Sequence, residues 1–583
     1  MRIRTTKTKN GRLFYVIKTY YDGKGKEHSV TVEKLGNEND IREKYGRDPD
    51  EWAKEYVKKL NEKEKKENEE IQISLSPAKQ LTKNYRYEYQ IGYLFLQKIY
   101  HELKMDLICK EISKRHSFKF DLDSILSRLL YGRVIEPDSK IATCRYADTL
   151  IEKPLFKEHQ VYRALDVLAE ESDFIQESVY RNSFALGARN TGVIYYDCTN
   201  FFFEVEEPDV DGLRKHGKSK ENRPLPIVEM GMFIDRDGIP LSVCIHPGNT
   251  NEQVTLRPLE KKLLSDFGMS KFVVCTDAGL ASHANRRFNN IQDRAYIVTQ
   301  SLKKLRKDIR DWALSPDGWK LNGARGHDRA RLFNIDELDP DKDYDKTFYK
   351  EWLIDRDSFE ETLIVTFSLK YREYQKNIRQ GQIDRAQRAI DNGTAKRGRK
   401  NQQDFRRLIE KTAATPDGEI ADRIHCSLNQ ALIDEEAMYD GFYAVCTNLD
   451  DEPSAIIRVN QQRWQIEECF RIMKTEFQAR PAYVSTDHHI EAHFLTCFLA
   501  LILYRYLEKR LDYEFTCSQI ISTLKDMSVR EVVGEGYLPN YTRTELTDAL
   551  HEKFGFRTDY SIIPNKNMKK IIKESKTRTR NAK

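Results

Sequence analysis

Residues 192–299 restrict the possible folds more than any other part of the chain. Val193-Ile194-Tyr195-Tyr196 is an apolar run of buried-strand character leading into Asp197, and Phe201-Phe202-Phe203-Glu204-Val205 continues in extended style. The apolar runs 227–234 and 241–245 are separated by Asp235-Arg236-Asp237-Gly238, a composition that predicts a hairpin turn. A helix is predicted over about 252–267. Then comes a buried strand, Phe272-Val273-Val274-Cys275-Thr276, ending on Asp277. Ala278-Gly279 supplies a turn into a helix near 282–290, and Tyr296-Ile297-Val298-Thr299 is a fifth strand.

Three strands in succession, then helix, strand, helix, strand, is the element order of a ribonuclease H-like α/β domain. The rest of the chain arranges itself around that block. Residues 1–75 predict a small β-sheet, with a turn at Asp22-Gly23-Lys24-Gly25, plus a highly charged helix. Residues 80–188 read as several short amphipathic helices, which suit a DNA-binding domain and an ordinary scaffold equally. The α/β core occupies 190–300 and resumes over 439–512. Between them, 301–438 is a β-rich and helical insertion containing Trp312, Trp319, Trp352 and a basic stretch from Arg372 to Arg407. That stretch includes Arg379, Arg385, Arg388 and Lys396-Arg397-Gly398-Arg399-Lys400. A C-terminal region, 513–583, ends in a basic tail from Lys566 that is expected to be disordered on its own.

A second constraint lies at 460–477, which holds no Gly or Pro and predicts one continuous helix. At about 100° per residue, Ile466, Phe470, Met473 and Phe477 form one apolar stripe, with Arg463, Glu467 and Lys474 together on a strip beside it. Glu468 is expected on the solvated back. Taken alone, the segment reads equally well as an amphipathic helix with an Arg463–Glu467 ion pair. Asp197 and Asp277 each follow a hydrophobic strand, and ligands of open α/β sheets collect at the carboxyl ends of strands. An Asp in that place is commonly only a cap or a turn residue. If the two strands are neighbours, both aspartates reach one sheet edge, and Glu467 can add a third carboxylate. Such a set suits hard divalent ions, Mg²⁺ or Mn²⁺. Two ions about 4 Å apart can clamp both oxygens of an in-line phosphoryl displacement. His283 and His493 have no partner spacing and are expected to be structural.

Composition narrows the class. The 583 residues are 39% hydrophobic and 32% charged, with a net charge of only +5, so the balance neither requires nor excludes nucleic acid. The ten cysteines form no CxxC pair and no Cys/His cluster at zinc spacing, as expected of a reduced, cytosolic chain. The longest apolar run, Phe494 to Tyr504, is too short to span a bilayer and predicts a buried helix.

These blocks together resemble the DDE transposases of bacterial insertion sequences, in the group marked by Tyr-x2-Arg-x3-Glu-x6-Lys. Arg463-x3-Glu467-x6-Lys474 has that spacing, and Asn460 stands where the signature tyrosine would be. Tyr195-Tyr196-Asp197-Cys198-Thr199 and Cys275-Thr276-Asp277-Ala278-Gly279-Leu280 resemble the first two acidic blocks, and His216 to Pro224 resembles a basic loop between early strands. The resemblance spans roughly 190–510 and implies catalytic, metal-holding roles for Asp197, Asp277 and Glu467. It also implies DNA phosphate contacts from Arg463, Lys474, Asn460, Lys218, Lys220 and Arg223. The activity implied is cleavage at terminal inverted repeats and strand transfer into target DNA, by an enzyme that binds double-stranded DNA, dimerises in the synaptic complex and works in the bacterial cytoplasm. Trp312, Trp319 and Trp352 are candidates to stack on a flipped base, with core packing as the competing role. A nuclease of the same fold without strand transfer, and a silent DNA-binding repressor, are the alternatives.

Overall fold

A computed structural model describes every residue except 10, 22–26, 68–70, 72, 74–76, 79, 357–358, 395–403, 415–419 and 579–583. The predicted turn at 22–25 and the basic run 396–400 lie outside the described residues. The chain divides into two compact units, Met1–Tyr85 and Arg86–Lys583. In the first, strands Arg2–Thr8, Gly11–Tyr21 and Glu27–Asn37 form an antiparallel sheet in sequential order, followed by helices Glu38–Tyr45 and Pro49–Glu67. Phe14, Ile41 and Ala53 make its small core, and Trp52 stacks between Tyr45 and Tyr56 at centroid distances of 4.4 and 5.3 Å.

The second unit is built on one mixed sheet of ten strands. These are β1 (Val193–Phe202), β2 (Ile227–Asp235), β3 (Pro240–Pro247), β4 (Phe272–Thr276), β5 (Arg294–Thr299), β6 (Trp319–Leu321), β7 (Leu332–Phe333), β8 (Phe348–Arg356), β9 (Phe359–Phe367) and β10 (Phe442–Thr447). Their order across the sheet is β7-β6-β8-β9-β10-β5-β4-β1-β2-β3. β1, β2 and β3 are antiparallel neighbours, whereas β4 runs parallel to both β1 and β5. The predicted insertion domain is therefore not a separate body in its first half. β6 to β9 extend the same sheet, joined to β5 through β10. Trp319, wholly enclosed, belongs to the core that this extension buries.

Side chains alternate across the sheet as the strand period requires. Tyr196, Cys198, Phe233 and Val274 face helix α1 (Glu252–Ser265), packing on Leu256, Leu259 and Leu263. Tyr195, Phe201, Met232 and Cys275 face the other way, onto a core shared with Ile466, Phe470 and Phe494. Helices α2 (Leu369–Asp391), α3 (Pro453–Gln461), α4 (Trp464–Arg471) and α5 (Asp487–Arg510) complete the parts needed below. α5 is long and apolar enough to cross a membrane, yet it is buried nearly all along its length. A helix apolar all round has to be covered on all sides. The sheet covers one side, with Phe201 and Phe494 at 4.7 Å, and helices Leu122–Ile135 and Glu158–Glu170 cover another. The helices after Arg86 thus form a layer of the same unit, the scaffold arrangement that the sequence left open beside a DNA-binding domain over 80–188.

The C-terminal region folds onto that layer too. Strand Ser528–Val532 pairs with Glu88–Gln90, and helix Asn565–Ser575 packs on helix Tyr93–Glu102. The basic tail was expected to be disordered from Lys566. Through Ser575 it is helical instead, because Met568 and Ile571 share one buried face, and the Ser575 hydroxyl donates to Gln97 Oε1 at 2.7 Å.

Candidate active site

β1 and β4 are paired so that Val193 lies beside Val273, Ile194 beside Val274 and Tyr195 beside Cys275. Continued by two residues, the same register sets Asp197 beside Asp277, on the face to which Tyr195 and Cys275 point. Asp277 follows the last residue of β4 and caps a short 3₁₀ turn, its Oδ1 accepting from the Leu280 N–H at 3.1 Å. Asp197 does not end its strand, as the sequence suggested. β1 stays paired with β2 as far as Phe202. It is the neighbouring β4 that stops, and this opens the space alongside Asp197.

The face carrying both aspartates is the one on which α4 packs. The single helix expected over 460–477 is broken. α3 ends at Gln461, α4 begins at Trp464, and residues Ile472–Glu476 form a π turn. The Tyr195 hydroxyl spans the break, donating to the Val459 carbonyl at 3.0 Å and lying 3.3 Å from Gln462 Oε1. The apolar stripe is as predicted, with Ile466, Phe470, Met473 and Phe477 all buried. The polar side is not. The Glu467 side chain is 58% exposed and pairs with Arg463 at 3.4 Å. Glu468, expected on the solvated back, is only 29% exposed, paired with Arg471 at 2.7 Å. Lys474 leaves the predicted strip because the π turn puts an extra residue into the helical winding. It pairs instead with Glu221, at 3.7 Å.

Arg463 is the side chain that senses all three acids. Burial works against its charge, but Tyr443, Asp197, Glu467 and Asp277 together hold its pKa above the ordinary value. Burial and the adjacent Asp277 push the Asp197 carboxyl up to about 6, against the pull of Lys220, the Cys198 N–H and Arg463. The three carboxylates do not close to cation-ligand spacing. Among the described residues, the His/Cys/Asp/Glu group whose ligand atoms all lie within 4.8 Å of one another is Asp548, His551 and Asp559, far along the chain. That group is an ion-pair network: Arg557 holds Asp548 at 2.9 Å and Asp559 at 2.6 Å, and Arg543 holds Asp548 at 2.7 Å. Asp197, Asp277 and Glu467 offer only carboxylate oxygens, and Asp197 lies in a desolvated position beside a like charge. That donor set fits a hard divalent cation.

Two further acids escaped the sequence. Glu252 opens α1, where an acid reads simply as a favourable first-turn residue. It pairs with Lys220 at 2.9 Å, and a Cβ placed on Gly279 would lie 3.2 Å from Asp277 Oδ1 and 3.4 Å from Glu252 Oε2. Glu229, opposite Asn200 on β2, is pushed up to about 8 by burial and by Glu252, with Lys220, Asn200 and Lys474 opposing. Lys474 is in turn pushed down to about 8 by burial and by Lys220.

Lys218, Lys220 and Arg223 stand exposed on the loop after β1, which is closely packed at Gly217, where a Cβ would meet the Gly248 carbonyl at 1.9 Å. The Lys220 ammonium also reaches the Cys198 carbonyl at 2.5 Å, and Arg223 lies over the Phe202 ring at 4.2 Å. Asn460 is largely enclosed, one helix before Glu467, and its Oδ1 accepts from Cys275 Sγ at 3.8 Å. Two cations of the basic stretch are already neutralised: Arg379 pairs with Asp440 and Arg407 with Glu436. Trp319 is sealed in the core, Trp312 packs against Trp352 at 5.0 Å, and Trp352 is 37% exposed. Another exposed aromatic near Glu467 is one that periodicity did not single out. Trp464 is 59% exposed and, with Tyr371, Tyr374, Tyr443 and Glu467, lines a cavity of about 580 Å³.

Residues 202–503, just over half of the chain, match the family described as transposase DDE domain. That span includes Asp277 and Glu467 and begins just after Asp197. No match is found among curated proteins. A cryo-EM structure of the piggyBac transposase synaptic complex with hairpin DNA is similar over 75% of this chain and 78% of that one, at 8% identity and a TM-score of 0.34.

Proposed function

From a chain that belongs to the DDE transposase family, we propose a divalent-metal-dependent DNA transposase in which Asp197, Asp277 and Glu467 are the metal-holding catalytic acids. The observation that supports this is the register of β1 on β4, which continued by two residues brings Asp197 level with Asp277, together with Arg463, on whose charge Asp197, Glu467 and Asp277 all act. The order β3-β2-β1-β4-β5, with one antiparallel half and one parallel half, supports a ribonuclease H-like core. The Arg463-x3-Glu467-x6-Lys474 spacing supports membership of the bacterial insertion-sequence group with that signature.

Mg²⁺ or Mn²⁺, two ions in this reading, would polarise the scissile phosphoryl group and lower the pKa of the attacking water or 3′-hydroxyl. The chain's own residues do the rest. Arg463 offsets the mutual repulsion of the three acids, and its guanidinium, paired with Glu467 at 3.4 Å, would also offer N–H donors to a phosphate oxygen. Lys220 and Arg223 on the loop after β1, with Lys474 drawn to the same loop through Glu221, bring positive charge to the strand that enters the site. Asn460, enclosed and accepting from Cys275 Sγ, acts as support beneath the site instead of making the phosphate contact expected of it. The substrates are double-stranded transposon ends and target DNA, and the enzyme dimerises in its synaptic complex in the bacterial cytoplasm.

The test is cleavage of a labelled terminal inverted repeat with Mg²⁺. Asp197→Asn, Asp277→Asn and Glu467→Gln should each bind the repeat as wild type does and lose cleavage by at least about 10³-fold, the scale expected when transition-state charge stabilisation is removed. An unimpaired Glu467→Gln enzyme would overturn the assignment.

A further inference from the structure

A second concentration of buried charge lies beyond the acids, reached through one carboxylate. Glu221 pairs with Lys474 on one side and with Arg480 on the other. Arg480 lines a cavity of about 190 Å³ together with Arg133, Lys140, His493 and Asp138. Arg133 ends helix Leu122–Ile135, Lys140 starts helix Lys140–Ala147, and His493 lies on α5. Arg133 and Lys140 are 4% and 5% exposed.

The hydrogen bonds leave this cluster short of acceptors. Arg133 donates from Nη1 to the Phe477 carbonyl at 3.0 Å and from Nη2 to the Asp138 carbonyl at 3.2 Å, but its buried Nε has no partner. The Lys140 ammonium lies 3.2 Å from His493 Nδ1, while His493 Nε2 lies 3.0 Å from the Ala479 carbonyl. The Nε2 proton therefore goes to Ala479, Nδ1 accepts from Lys140, and the ring is neutral. Burial and the two cations hold it well below its ordinary pKa.

Among the described residues, no carboxylate compensates Lys140. Burial pushes it down to about 7, and the groups acting on it besides are Arg133, Cys497 and Cys144. Asp138, at the mouth, is exposed and accepts from the Ser139 N–H at 2.5 Å. Two cations held nearly dry without an acid are costly unless an anion completes them.

We propose that this cavity is a phosphoryl-oxyanion site in which Lys140, Arg133 and Arg480 bind a phosphodiester of the DNA strand passing the acidic site. A tetrahedral oxyanion supplies the acceptors that Lys140 and Arg133 Nε lack, and its charge offsets theirs. Free inorganic phosphate offers the same chemistry. The DNA assignment rests on the transposase reading, whereas the anion site stands without it.

The experiment compares the full chain with Lys140→Met, which keeps the side-chain stem and removes the buried charge together with the donor to His493 Nδ1. Inorganic phosphate is titrated by calorimetry at constant ionic strength, and duplex DNA binding is measured against salt. Wild type should bind phosphate at a single site, and Lys140→Met should weaken that binding at least tenfold. On DNA, the slope of log K against log salt should fall in magnitude by about 1 in the variant, the loss of one phosphate contact. Loss of phosphate binding with an unchanged salt slope upholds the anion site and overturns DNA as its source. No change in either measurement, in a variant that melts as wild type does, overturns the site. Should Lys140→Met not fold, Lys140→Gln is read in the same way. A protein that binds phosphate but cleaves no DNA would reject the transposase reading alone.

Discussion

Three buried or half-buried carboxylates show how differently a side chain can be accommodated here. Glu361 receives Arg286 at 2.7 Å and the Tyr296 hydroxyl at 2.8 Å, so its charge is matched on the spot. Asp197 accepts from the Cys198 N–H at 2.8 Å and feels Lys220 and Arg463, yet burial and the neighbouring Asp277 outweigh them. Glu260, wholly enclosed on α1, has one hydrogen bond, from Asn289 Nδ2 at 2.7 Å, and its Oε2 has none. Burial pushes Glu260 up to about 7, above its ordinary value of 4.5. With the folded pKa raised, its favourable contribution is complete below about pH 4.5 and is lost as pH rises through 7. Glu260→Gln, which has no charge to bury, should therefore be more stable than wild type at pH 8, by at most roughly 3 kcal/mol. The gain should vanish near pH 4. Urea melts at the two pH values check it, and equal melts at pH 8 would reject it.

Among the elements, the break between α3 and α4 matters most for the site. A straight helix would carry Arg463, Glu467 and Lys474 along one line. The break at 462–463 and the π turn at 472–476 instead give Arg463 to the acids and Lys474 to Glu221. Such bends have local causes, and here the Tyr195 hydroxyl, from the very strand that bears Asp197, donates to the Val459 carbonyl, whose backbone partner is the Gln462 N–H at 3.1 Å. Tyr195→Phe keeps the packing and removes that bond. It should lower stability by about 1 kcal/mol, the usual net worth of one hydrogen bond. DNA cleavage should fall further than that loss explains, because Glu467 is aimed through this contact. Denaturant melts paired with single-turnover cleavage separate the two effects, and unchanged cleavage would show that the bond does not position the helix.

For the whole second unit, α5 is the centre around which distant parts of the chain assemble. The sheet lies on one side and the helices after Arg86 on another, and the C-terminal region pairs back to residues 88–102. Removing residues 565–583 should therefore do more than clip a basic tail. It strips Met568 and Ile571 from the face of helix Tyr93–Glu102 and leaves Gln97 without Ser575. Burying two such side chains is worth about 3–6 kcal/mol, so a clear drop in melting temperature is expected. A truncated chain that melts as the full chain does would show that the helix adds nothing to the fold.

Much of this was legible along the chain. Alternation and buried-run lengths locate β1 to β5 and the hairpin at 235–238, because strand pattern is a local property of side chains pointing to two faces. The same holds for the apolar stripe of α4, and the relation of Asp197 to Asp277 follows once their strands are neighbours. Charge was less legible, because whether a cation is free, paired or buried depends on residues hundreds of positions away. Periodicity exposed Glu468 and sheltered Glu467, whereas packing did the reverse. The tail that composition reads as disordered folds against residues 93–102. The enclosure of Arg133 and Lys140 arises only where a helix near residue 130, another at 140 and α5 converge. Residue order determined the strands and the apolar stripe of α4. Only the three-dimensional packing decided which charges lose their water, since desolvation is set by everything that surrounds a group and not by its neighbours in sequence.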